Sequence, residues 1–189
     1  MFKILFLTTN QHKMEEARAL FSKYNIHVEM LDREKIEIQS EKLEEIVFFA
    51  LKSIDEKFSY PVMVEDAGLF IKHFNGFPGP YSSYVFKKIG NQGILKLMKG
   101  VKERDAYFYS VVGLKTRKGL IKIFTGRVDG KIATEERGER KFGYDPIFIP
   151  LGYSSTFAEM EIYEKNRISH RSRAFVQAIT WILNNIENI

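Results

Sequence analysis

The sequence predicts an α/β fold arranged as two lobes of one domain, with a cleft between them. Three observations predict it. An apolar run at residues 3–9 passes straight into an amphipathic helical pattern, and the alternation continues in the order β-α-β-α-β through Val64. The second half then changes character, toward loop chemistry and a pair of long strands. No repeat, low-complexity tract or linker separates the halves.

Each element has a local reason. Lys3 to Thr9 is near-continuously apolar until its polar end, as in a strand buried on both faces. From Gln11 to Tyr24, Met14, Ala17, Leu20, Phe21 and Tyr24 recur at three- and four-residue spacing, which predicts a helix. Asn10 or Thr9 is placed to cap it, and Glu15 and Glu16 suit its first turns. His27 to Leu31 reads as a strand, Leu43 to Phe58 as a second amphipathic helix, and Val62 to Val64 as a buried strand. Asn75 to Pro80 is a stiff turn. Tyr84 to Met98 reads as a helix broken near Gly90 to Gly93. Ala106–Thr116 and Leu120–Val128 form an antiparallel hairpin closed at Arg117–Gly119. Gly138 to Gly152 is loop-rich, and a last helix runs from Ser169 to Ile186 with Ala174, Ala178, Trp181 and Ile182 on one face.

Composition bounds the function. The 189 residues suffice for a single domain, 1–189, that buries about 70% of its unfolded surface without disulfide or metal. At 44% hydrophobic and 28% charged residues, disordered, collagen-like, coiled-coil and membrane-spanning classes are excluded. Cysteine is absent, which removes a thiol nucleophile, a Cys-ligated metal and any disulfide. The apolar stretch at the amino end is too short for a secretory signal, so a soluble cytoplasmic protein is expected. Lys plus Arg is 29 against 24 Asp plus Glu, a net charge of +5. Clusters at Lys115–Lys118, Arg137–Lys141 and Arg167–Arg173 suit either an ordinary solvated surface or an electropositive cleft for an anion.

Several local patterns carry chemistry. Thr8-Thr9-Asn10-Gln11-His12-Lys13 leads from a strand into a helix with a lysine in its first turn. Backbone N–H groups there attract phosphate, although the glycines of a P-loop are missing. Glu65 and Asp66 follow an apolar strand, where paired carboxylates suit Mg²⁺. Ionised acids in that position are costly unless used. Glu37, between Ile36 and Ile38, is either an exposed strand position or a further metal carboxylate. Phe77 to Ser82 reads as a structural turn. Phe142-Gly143-Tyr144-Asp145 makes either an aromatic-anchored loop or a stacking shelf for a base. Ser169 is a natural N-cap, which puts His170 and Arg171 in the first turn of the last helix. Cations there oppose the helix dipole, and a broken local rule marks a candidate site.

Together these are the parts of a Mg²⁺–nucleoside triphosphate site. The blocks TTNQHKMEEA (8–17), VEDAGLF (64–70), FPGPYS (77–82), FGYDPIF (142–148), TFAEM (156–160) and EKNRISHRSRA (164–174) resemble, in order, the signature blocks of the inosine triphosphate pyrophosphatase family. The resemblance implies an elongated two-lobed fold around a long mixed sheet, and a homodimer. It implies Mg²⁺-dependent hydrolysis of ITP, dITP and XTP to the monophosphate and pyrophosphate, with no nucleic-acid or membrane partner. The family's phosphate-loop role falls on Thr8 through Lys13, its general base and a metal ligand on Asp66, and its other metal carboxylate on Glu37. Its base-binding stretch falls on Phe142 through Asp145, and its later substrate contacts on Lys165, His170 and Arg171. The family usually carries Gly or Ser at position 9 and Ser or Thr at 67. Thr9 and Ala67 depart from that pattern, and Ala67 keeps only its main-chain contact with substrate. Competing readings are a pyrophosphatase for modified pyrimidine triphosphates, a single-stranded nucleic-acid binder, and a nucleotide sensor without turnover.

Overall fold

The computed structural model describes residues 2–54, 58–139, 142–186 and 189. The first strand, β1 (Phe2–Leu7), buries Ile4 through Leu7 on both faces and stops as the chain turns polar. Helix α1 (Gln11–Phe21) follows, capped by Asn10, whose side chain accepts from the Lys13 N–H at 3.2 Å. It buries Met14, Ala17 and Phe21, and a short 3₁₀ turn, Ser22–Tyr24, completes the predicted span. β2 (Ile26–Leu31) runs parallel to β1, with Phe2 opposite Ile26 and Leu7 opposite Leu31.

Helix α2 (Leu43–Lys52) is shorter than predicted: its end is at Ser53, and residues 55–57 of the expected span lie outside the described residues. The segment around Glu37 forms no strand, which corrects one of the two readings of that residue. β3 (Val62–Ile71) is parallel to β1 and is ten residues long, not three. It continues through Glu65 and Asp66, so the two acids lie inside a strand rather than beyond its end. Helix α3 (Ser82–Leu97) is broken at Gly90, whose φ of 59° suits glycine.

β4 (Asp105–Lys115) and β5 (Ile121–Ile132) are the expected hairpin strands. β6 (Phe148–Pro150) pairs antiparallel with β5, and α4 (Ile162–Ile168) precedes α5 (His170–Asn185). Neither β6 nor α4 was expected. β6 has three residues inside a glycine- and proline-rich stretch, and α4 buries no side chain, so it carries no amphipathic signal. Among the described residues the six strands form one mixed sheet in the order β2-β1-β3-β4-β5-β6, and no helix is long and apolar enough to cross a membrane.

The chain divides into two compact units. The first comprises residues 1–66, 110–126 and 171–189. Its core packs Ile4, Phe6, Met14, Phe21 and Met63 with Phe175, whose ring meets Phe6 and Phe21 edge-on at 6.2 and 5.4 Å. The second comprises residues 67–109 and 127–170 and is built around Leu69, Phe108, Phe148 and Phe157. The chain passes between units inside β3, β4 and β5, with no separate linker there.

The Phe77–Ser82 turn is structural, as expected. Ser82 Oγ donates to the Gly79 carbonyl at 2.7 Å and accepts from the Leu69 N–H at 2.8 Å. This brings the turn so close to β3 that a Cβ on Gly68 would lie 2.2 Å from the Gly79 carbonyl oxygen. Gly68→Ala must push the turn away, and the expected cost is about 1–3 kcal/mol in urea unfolding. A variant as stable as the parent would show that this approach is not tight.

Candidate active site

The β1–α1 turn places the amino end of α1 beside the end of β1. Thr8 Oγ1 accepts from the Asn10 N–H at 3.1 Å, and Asn10 caps the helix. Thr9, Gln11 and His12 are exposed, while Thr8, Asn10 and Lys13 are half-buried. Lys13 leans back onto β3, with Nζ 2.8 Å from Glu65 Oε2.

Glu65 is the most deeply buried charge of the site, 2% exposed. Its carboxylate accepts from Ser110 Oγ on β4 at 2.7 Å and from Arg171 Nε on α5 at 3.1 Å, in addition to its pair with Lys13. Burial pushes its pKa up, but the charges of Arg171 and Lys13, with hydrogen bonds from Lys13 and Ser110, outweigh it. The carboxyl is held well below the ordinary range. Arg171 Nη1 also donates to Glu16 Oε2 at 2.7 Å. Burial disfavours the guanidinium charge, and Glu65 and Glu16 more than restore it. Arg171 is thus bound into the protein through two of its nitrogens.

Asp66, the next residue on β3, belongs to a different cluster. Side chains alternate across a strand, so adjacent acids serve opposite faces. Asp66 Oδ2 lies 3.5 Å from Lys35 Nζ, and Glu37 Oε1 lies 3.0 Å from the same nitrogen. Burial of Lys35 opposes its charge, but Asp66 and Glu37 raise its pKa above the ordinary lysine value. The two carboxylates therefore converge on one cationic point. This pair of residues fits a cation that takes oxygen ligands, one or two of them carboxylates, and completes its shell with water and phosphate. Among the described residues no group of three or more His, Cys, Asp or Glu side chains forms a fuller metal cage.

In the second unit, Asp145 and Lys165 form an ion pair between the 3₁₀ turn Asp145–Ile147 and α4. The Lys165 ammonium also sits over the rings of Phe142 and Phe157, 5.4 and 5.6 Å from their centroids. Gly143 has φ 53°, the left-handed conformation of a tight turn. Tyr144 is not a stacking surface. It is 4% exposed, its hydroxyl donates to the Ser82 carbonyl at 3.1 Å, and its ring meets Phe86 edge-on. The aromatic side of the loop open to a ligand is half-buried Phe142. His170 is buried, with its ring stacked on Phe108 at 4.6 Å. Ala67 is half-buried on β3.

Four further residues, none of them a site residue in the sequence analysis, complete these clusters. Ser110 and Glu16 satisfy Glu65 and Arg171, Lys35 joins Glu37 to Asp66, and Asn91 donates to the Gly143 carbonyl at 3.1 Å. A lysine two residues before Glu37 and an asparagine next to Gly90 at the α3 break are the local signals for Lys35 and Asn91.

A model described as the Ham1 family matches residues 4–181. The chain belongs to the Ham1 family. Ham1 relatives extend over almost its whole length. A dITP/XTP pyrophosphatase of Methanopyrus kandleri is 50% identical over 184 residues, covering 97% of this chain and 98% of the relative. One of Thermococcus kodakarensis is 48% identical, covering 98% of this chain and 100% of the relative. Two solved Ham1 structures have the same fold. The protein of Coxiella burnetii superposes with a TM-score of 0.85 at 28% identity, covering 97% of this chain and 100% of the other. That of Staphylococcus aureus gives 0.83 at 26%, covering 96% and 98%.

The Glu65 cluster has a pH signature. An unfolded glutamate titrates near 4.3. Glu65 is held below that value in the folded chain. Its ionisation therefore favours folding above about pH 4.3, and the contribution drains away as pH falls below that toward the folded value. Urea unfolding between pH 5 and pH 3 should show a steep loss of stability in the parent and a shallower one in Glu65→Gln. Parallel curves would show that Glu65 carries no such linkage.

Proposed function

We propose that this Ham1 family chain hydrolyses deaminated purine nucleoside triphosphates, namely ITP, dITP and XTP, to the monophosphate and pyrophosphate. The activity is Mg²⁺-dependent, resides in a single catalytic domain spanning 1–189, and clears the cytoplasmic nucleotide pool of non-standard purines. The working form is a homodimer. The observation that carries the reading is the convergence of Glu37 and Asp66 on one cationic point. The dITP/XTP pyrophosphatases that the chain resembles at 48–50% identity support the choice of substrate.

Glu37 and Asp66 would hold Mg²⁺, whose charge would offset that of the phosphate groups. The amino end of α1 and Lys13 hold the triphosphate, through the turn Thr8 to His12, whose Thr9, Gln11 and His12 are exposed, and through the lysine charge. Asp66 orients the attacking water and takes its proton. Glu65 is unsuited to that role, because its oxygens are engaged by Lys13, Arg171 and Ser110 and its carboxyl resists protonation. Glu65 instead positions Lys13. Phe142, Gly143 and Lys165, with the Ala67 main chain, face the nucleoside, and buried Tyr144, Asp145, His170 and Arg171 hold those groups in place from beneath. The 6-keto oxygen of hypoxanthine and xanthine accepts from donors that adenine's 6-amino group would leave unpaired. A site built for such an acceptor rejects the wrong base by factors of up to about 10⁴.

A panel of triphosphates with pyrophosphate detection tests this. ITP, dITP and XTP should be cleaved with Mg²⁺, with far higher kcat/KM than ATP. Asp66→Asn should lower kcat by about 10²–10⁴-fold, and Lys13→Ala should weaken the use of ITP. Equal pyrophosphate release by parent and Asp66→Asn would overturn the site assignment, and equal kcat/KM for ITP and ATP the specificity.

A further inference from the structure

Lys35 lies in the irregular segment between β2 and α2, outside every motif block discussed above. Its side chain is only 15% exposed, and its ammonium stands between the two carboxylates assigned to the metal, 3.0 Å from Glu37 and 3.5 Å from Asp66. A lysine charge withdrawn from water in this way needs partners. Here its partners are the oxygens that Mg²⁺ requires. A dication and an ammonium cannot share that point, since their repulsion at such separations is large where water is scarce. Lys35 also has somewhere to go. A cavity of about 340 Å³ is lined by Lys35 together with Leu7, Arg33, Ala50, Ser53 and Ile54. The four-carbon lysine stem can swing its head group through several ångströms.

Resting on the metal assignment above, we propose that Lys35 is the exchangeable counter-ion of the metal site. Its ammonium holds Glu37 and Asp66 when no ion is bound, and gives way when Mg²⁺ enters. The exchange makes metal binding depend on the nucleotide. An ion arriving alone must strip an ammonium of both its partners. An ion arriving with a triphosphate brings new oxyanions for the displaced charge. Lys35 is thus a positioning residue that discourages metal occupancy without substrate, and it keeps two like charges from repelling each other in the interval.

The test reads metal binding rather than turnover. Mn²⁺ is titrated into the full-length protein without nucleotide and followed by electron paramagnetic resonance, for the parent, Lys35→Met, Lys35→Arg and Asp66→Asn. Lys35→Met should bind Mn²⁺ at least about tenfold more tightly than the parent. Lys35→Arg, which keeps the charge, should stay near the parent value. Thermal unfolding should find Lys35→Met less stable than the parent without metal and raised more by added Mn²⁺. If the methionine variant does not fold, Lys35→Gln removes the charge with a polar side chain and should show the same tightening. Unchanged or weaker binding in Lys35→Met and Lys35→Gln, with Asp66→Asn abolishing it, overturns the exchange while leaving the metal assignment standing. Undiminished binding in Asp66→Asn overturns both.

Discussion

A carboxylate sealed inside the first unit sets the terms for everything around it. Glu65 has almost no contact with solvent, and an ion moved out of water costs several kcal/mol unless its partners are well placed. The partners come from three other elements: Lys13 from α1, Ser110 from β4 and Arg171 from α5. Arg171 in turn reaches back to Glu16 on α1. Each of these elements is therefore located by an electrostatic demand as well as by packing. The aromatic contacts of Phe175 with Phe6 and Phe21 join α5 to β1 and α1, which agrees with the same placement.

The arrangement gives the two adjacent acids of β3 different cationic partners. Glu65 binds two cations that would otherwise repel each other, and in doing so it orients Lys13 beside β3. Asp66, one residue away but on the other face of the strand, pairs with Lys35, which also holds Glu37. One strand thus supplies an acid that resists protonation and, next to it, an acid paired with a lysine from the segment between β2 and α2. In the second unit the same economy recurs: Asp145 holds Lys165 in place against two aromatic rings, and Asn91 braces the Gly143 carbonyl of the neighbouring turn. Tyr144 belongs to the core of that unit, so its loop is anchored from beneath by the tyrosine and presents Phe142 at its edge.

Much of this was legible in the order of residues. The apolar run of β1, the spacing of Met14, Ala17 and Phe21 on α1 and the hairpin of β4 and β5 follow from periods of 3.6 and 2, and they appear where expected. The Asn10 cap and the break at Gly90 follow from local backbone chemistry. Where reading failed, the local signal was absent or misleading. α4 buries nothing, β6 is too short to show a period, and two ionic residues in the middle of β3 looked like the end of a strand. Glu65 breaks the apolar pattern because its neutralising charges come from distant elements of the chain.

The sequence by itself determined the class of fold, the family blocks and the residue types that suit an oxygen-ligated metal and a polyanion. These depend on composition, on short-range periodicity and on motifs whose members stand close together in the chain. Only the tertiary structure decided which acid of the Glu65–Asp66 pair is sealed among cations, that Arg171 is anchored by Glu65 and Glu16, and that Lys35 pairs with both Glu37 and Asp66. The physical reason is that a buried charge is defined by what surrounds it. Those surroundings are assembled from segments far apart in the chain, at distances of about 3 Å that no local pattern encodes.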